Sequence, residues 1–266
     1  MAGNDVPFFW VALFTYLGAT LLHALDVGAP KRWFGKLAFI TLLVGFCSHS
    51  VALVIRTIAT GHPPFTGMYE YASSLAWAIV LFYFIFQLRH KAGNLGVFVS
   101  PIAFAVIVVA SLFPKEMERQ LVPALQSYWL QIHVTLAVVG EGAFAVACAG
   151  AVMYLLKTRG VRWLPSLEAL DDVTYKAILV GYPLFTLGAL FAGAIWAWQA
   201  WGRPWGWDPK EVGSLVVWLI YSAYLHARVT RGWRGKRAAV LAIIGFCAAV
   251  FTFLSNLFMG GLHSYV

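Results

Sequence analysis

Eight long apolar runs, separated by short polar connections, constrain this chain more than any other feature. They cover Phe8–Ala24, Leu37–Ala59, Tyr71–Leu88, Leu95–Phe113, His133–Leu156, Ala177–Ala197, Val212–Leu225 and Ala238–Phe258. A helix of about 20 apolar residues crosses the hydrocarbon core of a bilayer. The pattern therefore predicts an all-α, polytopic membrane protein with about eight transmembrane helices. Composition agrees, since 61% of the 266 residues are hydrophobic and only 11% are charged. Soluble domains carry roughly 25% charged residues and need more polar surface than this chain can supply. Disordered chains are poor in hydrophobes. The first run lacks the basic flank and small-residue cleavage site of a signal peptide, so it reads as a retained span. The connections are short, and residues 1–266 are expected to form a single integral membrane domain.

The net charge of +8 becomes informative once the 19 Lys and Arg are sorted by connection. Fourteen fall on one side: Lys31, Arg32, Lys36, Arg89, Lys91, Lys157, Arg159, Arg162, Lys176, Arg228, Arg231, Arg234, Lys236 and Arg237. Five fall on the other: Arg56, Lys115, Arg119, Arg203 and Lys210. Basic residues concentrate on the cytoplasmic side of spans, which predicts that both termini are extracytoplasmic. An even number of spans agrees. Membrane orientation accounts for the basic excess, so no nucleic-acid partner is expected. Cys47, Cys148 and Cys247 lie in apolar runs without a Cys-x-x-Cys pattern, so buried, inert thiols are expected rather than a disulfide framework or a zinc site.

Two connections carry local structure. Pro123–Leu130 reads as a short interfacial helix with Trp129 at headgroup depth. Ser166 is placed to cap a helix that runs into the sixth span.

The connection after the sixth span, about residues 196–211 on the predicted outer side, is where chemistry concentrates. Trp196, Trp198, Trp201, Trp205 and Trp207 are five of the chain's 12 Trp. A lipid-interface belt scatters Trp over many span ends, whereas these cluster around Gly202 and Gly206. Glycine lets a flat ligand approach the backbone closely, and indole faces stack on large π-systems. The expectation is a planar, largely apolar, partly charged ligand at the outer surface. Asp208 precedes Pro209 and suits the cap of the seventh span, so part of its role is structural.

Seven His complete the inventory. His133 opens the fifth span and His263 follows the eighth, both at the depth of the Trp-rich loop. Two imidazoles flanking an aromatic platform suit the axial positions of an iron-porphyrin. His226 lies 15 residues beyond Glu211, about 22 Å along a helix, and so near the inner face. A His inside a span is a functional candidate; the alternative for His226 is snorkelling to the inner headgroups beside Arg228. His23 and His49 read as packed or hydrogen-bonded polar residues.

The run Trp201-Gly-Arg-Pro-Trp-Gly-Trp-Asp-Pro-Lys-Glu-Val-Gly-Ser-Leu-Val-Val-Trp-Leu-Ile-Tyr-Ser-Ala-Tyr-Leu-His226 resembles the tryptophan-rich WWD signature of haem-handling proteins. Within that group the chain resembles the CcsA family of system II cytochrome c synthases more than the CcmC or CcmF families. Gln131-Ile-His133-Val, Pro63-Pro-Phe-Thr-Gly-Met-Tyr-Glu70 and Asn256-Leu-Phe-Met-Gly-Gly-Leu-His263-Ser-Tyr extend the likeness along nearly the whole chain.

The resemblance implies a cytochrome c maturation function, with haem b as substrate or ligand. His133 and His263 are then axial ligands of an outer haem. Trp198, Trp201, Trp205, Trp207, Gly202 and Gly206 form its platform, and Asp208 belongs to the same centre. It implies that His226 ligates an inner haem whose opposing ligand comes from a CcsB-type membrane partner, and that His23 and His49 are not ligands. The length leaves no room for the fused CcsB–CcsA form. The implied activity is that of a haem lyase subunit, which delivers haem outward and supports thioether attachment to the Cys-x-x-Cys-His motif of apocytochrome c. The cysteine thiols add across the haem vinyl groups, and the motif's His replaces one protein ligand. Thiol-reducing proteins are implied as further partners. Arg203 or Lys210 is placed to meet a haem propionate. The membrane is a bacterial inner membrane or a thylakoid. Two alternatives stand beside this: a haem exporter without lyase activity, and a b-type electron-transfer subunit.

Overall fold

The computed structural model describes residues 4–28, 33–90, 93–117, 121–255 and 257–263. Lys31, Arg32, Lys91, Arg119, Asn256, Ser264 and Tyr265, all named above, lie outside the described residues. The described residues contain helices and no strand. The eight long helices are α1 (Val6–Gly28), α2 (Phe34–Thr60), α3 (Met68–His90), α4 (Gly96–Ser111), α5 (Tyr128–Thr158), α6 (Leu167–Trp201), α7 (Pro209–Arg231) and α8 (Lys236–Ser255). Seven are long and apolar enough to cross a membrane, and α4, at 16 residues, is the shorter exception. The chain forms two compact units, residues 1–120 and 121–266.

In the first unit, α1 packs along α2 and α4, and α3 along α4. The buried face of α1 carries Phe9, Ala12, Tyr16, Ala19 and His23, the spacing of one helical stripe. Its polar members are engaged. The Tyr16 hydroxyl lies 3.1 Å from His49 Nδ1, and His49 Nε2 lies 2.8 Å from Ser73 Oγ. His23 Nδ1 lies 3.1 Å from Ser100 Oγ. Both His are thus hydrogen-bonded core residues, as the sequence suggested.

Arg56, sorted above with the outer connection charges, is buried. It donates to Asp5 (3.1 Å), Glu70 (2.6 Å) and the carbonyls of Lys115 and Glu116. Four segments of this unit are tied at one point. Pairing a buried guanidinium with two carboxylates and two carbonyls is what makes its burial tolerable.

In the second unit, α5 packs against α6 and α8, and α7 against α8. The α5–α6 crossing is set by Gly140 and Gly181. A Cβ on Gly140 would come within 2.9 Å of Phe185 N, and one on Gly181 within 2.9 Å of Gly140 O. Small residues let helix backbones approach this closely. The expected interfacial helix over Pro123–Leu130 is broken in two. Pro123–Gln126 form one 3₁₀ turn, Ser127 is extended, and α5 begins at Tyr128. The reason is a cap, since Ser127 Oγ accepts from Trp129 N at 3.1 Å. Ser166 caps α6 as expected, accepting from Ala169 N at 3.2 Å.

Helix α6 contains a π segment, Thr186–Ala192. The cysteines differ from expectation too. Cys148 is buried, but Cys47 and Cys247 are exposed on the faces of α2 and α8. An apolar thiol on a lipid-facing surface sits in a solvent as apolar as the core, so burial in protein is not required.

Candidate functional site

The site is built at one end of the second unit, where the first turns of α5, the last turns of α6, the start of α7 and the segment after α8 converge. Asp208 organises the start of α7. Its side chain accepts from Lys210 N at 2.9 Å, and Glu211 Oε2 accepts from Asp208 N at 3.2 Å. The two acids make a capping box, with Pro209 in the first turn. Glu211 also accepts from Gly206 N at 2.7 Å, which folds the loop back on the helix.

Asp208 reaches further than a cap. Its Oδ2 accepts from Leu262 N at 2.6 Å, and its Oδ1 accepts from His263 Nδ1 at 2.8 Å. Gly261 is part of the fit, because a Cβ there would collide with Asp208 Oδ2. Burial alone would raise the Asp208 carboxyl. The bond from His263 and those from the Lys210 and Leu262 N–H groups outweigh it and hold the pKa at about 2. An ionised carboxylate only accepts, so the proton of the pair sits on His263 Nδ1.

His133 is held differently. Its Nδ1 donates to the Gly188 carbonyl at 2.9 Å. That carbonyl lies in the π segment and also accepts the Gly193 N–H. The π turn presents a backbone oxygen sideways to α5, a use of such turns common at functional sites. Glycine is required at this crossing: a Cβ on Gly188 would lie 2.6 Å from Ala137 N, and one on Gly193 would lie 2.9 Å from His133 Nδ1. With the proton on Nδ1, Nε2 is the lone-pair nitrogen of a neutral His133 ring.

Trp196 links the two histidines. It is 2% exposed, and its Nε1 donates to the Ala124 carbonyl at 2.7 Å. It stacks on His133 (centroids 5.7 Å apart, planes at 11°), and His263 lies 5.5 Å from it. Trp201 packs edge-on to Trp196 at 4.7 Å and lies 5.1 Å from His263. The five Trp therefore separate into two groups. Trp196 and Trp201 form an inner wall with both histidines. Trp198 and Trp207 are 60% and 71% exposed, and Trp205 meets Trp207 edge-on at 5.8 Å.

Trp207 adopts φ +57°, a backbone region costly for a bulky residue. Gly202 ends α6 in the left-handed region at φ +71°, its N–H donating to Trp198 O. Gly206 leaves room for Arg203, whose Nε would lie 3.2 Å from a Cβ there.

His226 is exposed on α7, 17 residues from Pro209 and so about 25 Å along the helix. The structure does not bring it to the other two histidines. Two residues of the site had escaped sequence reasoning. Trp196 was indistinguishable from its four neighbours until its burial was known. Glu141 is buried in α5, eight residues and about 12 Å below His133. It lies within electrostatic reach of Lys210, as does Asp208. Its signal was present, because an acid inside an apolar run is a functional candidate.

Residues 66–263, which hold this histidine–tryptophan cluster, match the cytochrome C assembly protein family, and the chain is therefore a protein of cytochrome c assembly. The chain is 34% identical to the cytochrome c biogenesis protein CcsA of Porphyra purpurea, over 94% of this chain and 93% of that one. It is 32% identical to CcsA of Microcystis aeruginosa, over 96% and 98%. The chain belongs to the CcsA family of cytochrome c biogenesis proteins, and it is an integral membrane protein. Among solved structures, the cytochrome c haem lyase CcmF matches with a TM-score of 0.64 at 20% identity, over 94% of this chain and 46% of CcmF. The chain spans about half the length of CcmF, and the likeness is one of fold.

Proposed function

We propose that this protein is a haem lyase subunit, which delivers haem b across the membrane and supports its attachment to apocytochrome c. One observation carries the proposal. His133 and His263, 130 residues apart in sequence, meet across Trp196, each with its proton held on Nδ1 by a buried acceptor. That is the arrangement of axial imidazoles oriented by outer-shell partners. The Trp196 and Trp201 indoles supply an apolar wall for a porphyrin face. Arg203, against Gly206 at the rim, is the propionate contact; Lys210 already lies in the field of Glu141 and Asp208.

In this reading residues 196–211 face the periplasm or thylakoid lumen, as the charge asymmetry of the connections supports. Haem enters near His226, whose exposure on α7 suits a ligand completed by a CcsB-type partner. At the outer site the chain holds and orients haem. Each substrate cysteine adds its S–H across a vinyl C=C: sulfur bonds one carbon and hydrogen the other, with no net redox change. The substrate histidine replaces one protein ligand. Thiol-reducing proteins keep the substrate cysteines competent.

The test is a pyridine-haemochrome assay on the purified protein, wild type beside His133→Ala, His226→Ala and His263→Ala. It is paired with a covalent-haem stain after co-expression with the partner and an apocytochrome c. The expected result is haem in the wild type, with covalent product lost in His133→Ala and His263→Ala. A wild type without haem, or covalent product formed equally without this chain, refutes the proposal.

A further inference from the structure

The two outer histidines are held by chemically unequal partners. His263 donates to a carboxylate whose side chain is 3% exposed, at 2.8 Å. That carboxylate is fixed from two other directions, by Lys210 N and Leu262 N. Withdrawing the His263 ring would leave a buried anion with fewer donors, and a lost hydrogen bond costs more at a charged acceptor than at a neutral one. His133 donates to a neutral carbonyl at 2.9 Å. That carbonyl already accepts the Gly193 N–H of the π turn. When His133 swings away, Gly188 O keeps a partner, so no buried acceptor is orphaned. Outer-shell carboxylates also raise the basicity of the imidazole they hold, and a neutral carbonyl does so less.

We infer that the outer site works asymmetrically: Asp208 is a positioning residue that makes His263 the retained iron ligand, and His133 is the ligand exchanged for the histidine of the substrate. This rests on the haem reading above. The first turn of α5 and the π segment of α6 then form the exchangeable side of the site. The capping box of α7 with the segment Gly260–His263 forms the fixed side.

The experiment uses the full-length, haem-loaded protein and a synthetic Ser-x-x-Ser-His peptide, which offers the substrate imidazole but no thiol. His133→Ala leaves His263 on the iron, and addition of the peptide is expected to restore a low-spin, bis-imidazole visible spectrum. His263→Ala is expected to stay high-spin at the same peptide concentration. If an alanine variant does not hold haem, His133→Met and His263→Met give the same readout, because the peptide imidazole displaces a weak thioether ligand only on the exchangeable side.

Asp208→Asn keeps a good cap but removes the charge. It is expected to raise the haem midpoint potential and to weaken haem retention about tenfold or more. A merely structural cap would leave the potential unmoved. Peptide rescue of His263→Ala, or equal rescue of both variants, overturns the exchange order. An unchanged potential in Asp208→Asn overturns the role of Asp208. A wild type that holds no haem refutes the site reading itself, which separates the two failures.

Discussion

Replacing Gly188 by alanine tests the coupling between helix packing and the site. The new Cβ would lie 2.6 Å from Ala137 N and from Leu136 Cβ, and 2.8 Å from Leu136 C. Two of these are backbone atoms of α5, which cannot rotate aside as the end of a side chain can. Ordinary contact begins at 3.4 Å, so α6 must retreat by about 0.8 Å at this point. The His133–Gly188 hydrogen bond, 2.9 Å long, then stretches to about 3.7 Å and is lost by any geometric criterion. Overpacking costs about 1–3 kcal/mol, and the lost buried bond adds about 1 kcal/mol. The expected destabilisation is about 2–4 kcal/mol. It should be accompanied by loss of haem from the purified protein, because the His133 ring is no longer held. Thermal unfolding in detergent and a haem-to-protein ratio measure the two effects together. A Gly188→Ala protein with wild-type melting and wild-type haem content would show that the π segment neither sets the helix approach nor holds the ring.

Three further outcomes follow from the geometry. Glu70→Gln removes one anion from the buried Arg56 cluster and should destabilise the first unit by about 3–5 kcal/mol; a melting temperature within error of wild type would contradict it. The Asp208 pKa is depressed to about 2, from about 3.9 in an unfolded chain. Its stabilising contribution is therefore fully present above pH ~4 and disappears as pH falls through ~2. Tryptophan fluorescence titrated downward from pH 6 should show a transition in that window for wild type and none for Asp208→Asn; coincident curves would argue against it. Trp196→Phe keeps the ring against His133 but removes the bond to Ala124 O. It should cost about 1 kcal/mol and lower covalent cytochrome yield in co-expression, and an unchanged yield would make that indole bond irrelevant to the site.

How much of this was readable without coordinates depends on sequence separation. Helix positions, the Ser166 cap and the Asp208–Pro209 start of α7 depend on residues a few positions apart, and each was legible. The second role of Asp208 was not, because its partner His263 lies 55 residues on. Nothing local marks which of several polar groups a distant imidazole will reach. The Trp cluster was legible as a cluster. Which of Trp196, Trp198 and Trp201 turns toward the histidines depends on the face of α6 each occupies, and the π segment just upstream alters that phase. Arg56 counted only as an outer-side basic residue in the sequence, since its burial depends on Asp5, Glu70 and two carbonyls 59 and 60 residues away. Glu141 is legible as an acid in an apolar run, but its nearness to Lys210, 69 residues on, is not.

The π segment has one further consequence, for how α6 tolerates change. An α-helix advances 100° per residue, and a π turn absorbs one residue more than an α turn. Thr186–Ala192 thus acts as a phase shifter between two halves of one rod. Residues before it are indexed to the crossing at Gly140, and residues after it to His133. Deleting a single residue within it would let the helix run on as a regular α-helix. It would leave every downstream indole in its present phase, because the wide turn is what takes up the extra residue; what would be lost is the Gly188 carbonyl turned toward His133. A single residue removed after the turn would instead rotate Trp196 by about 100° off the imidazole it covers.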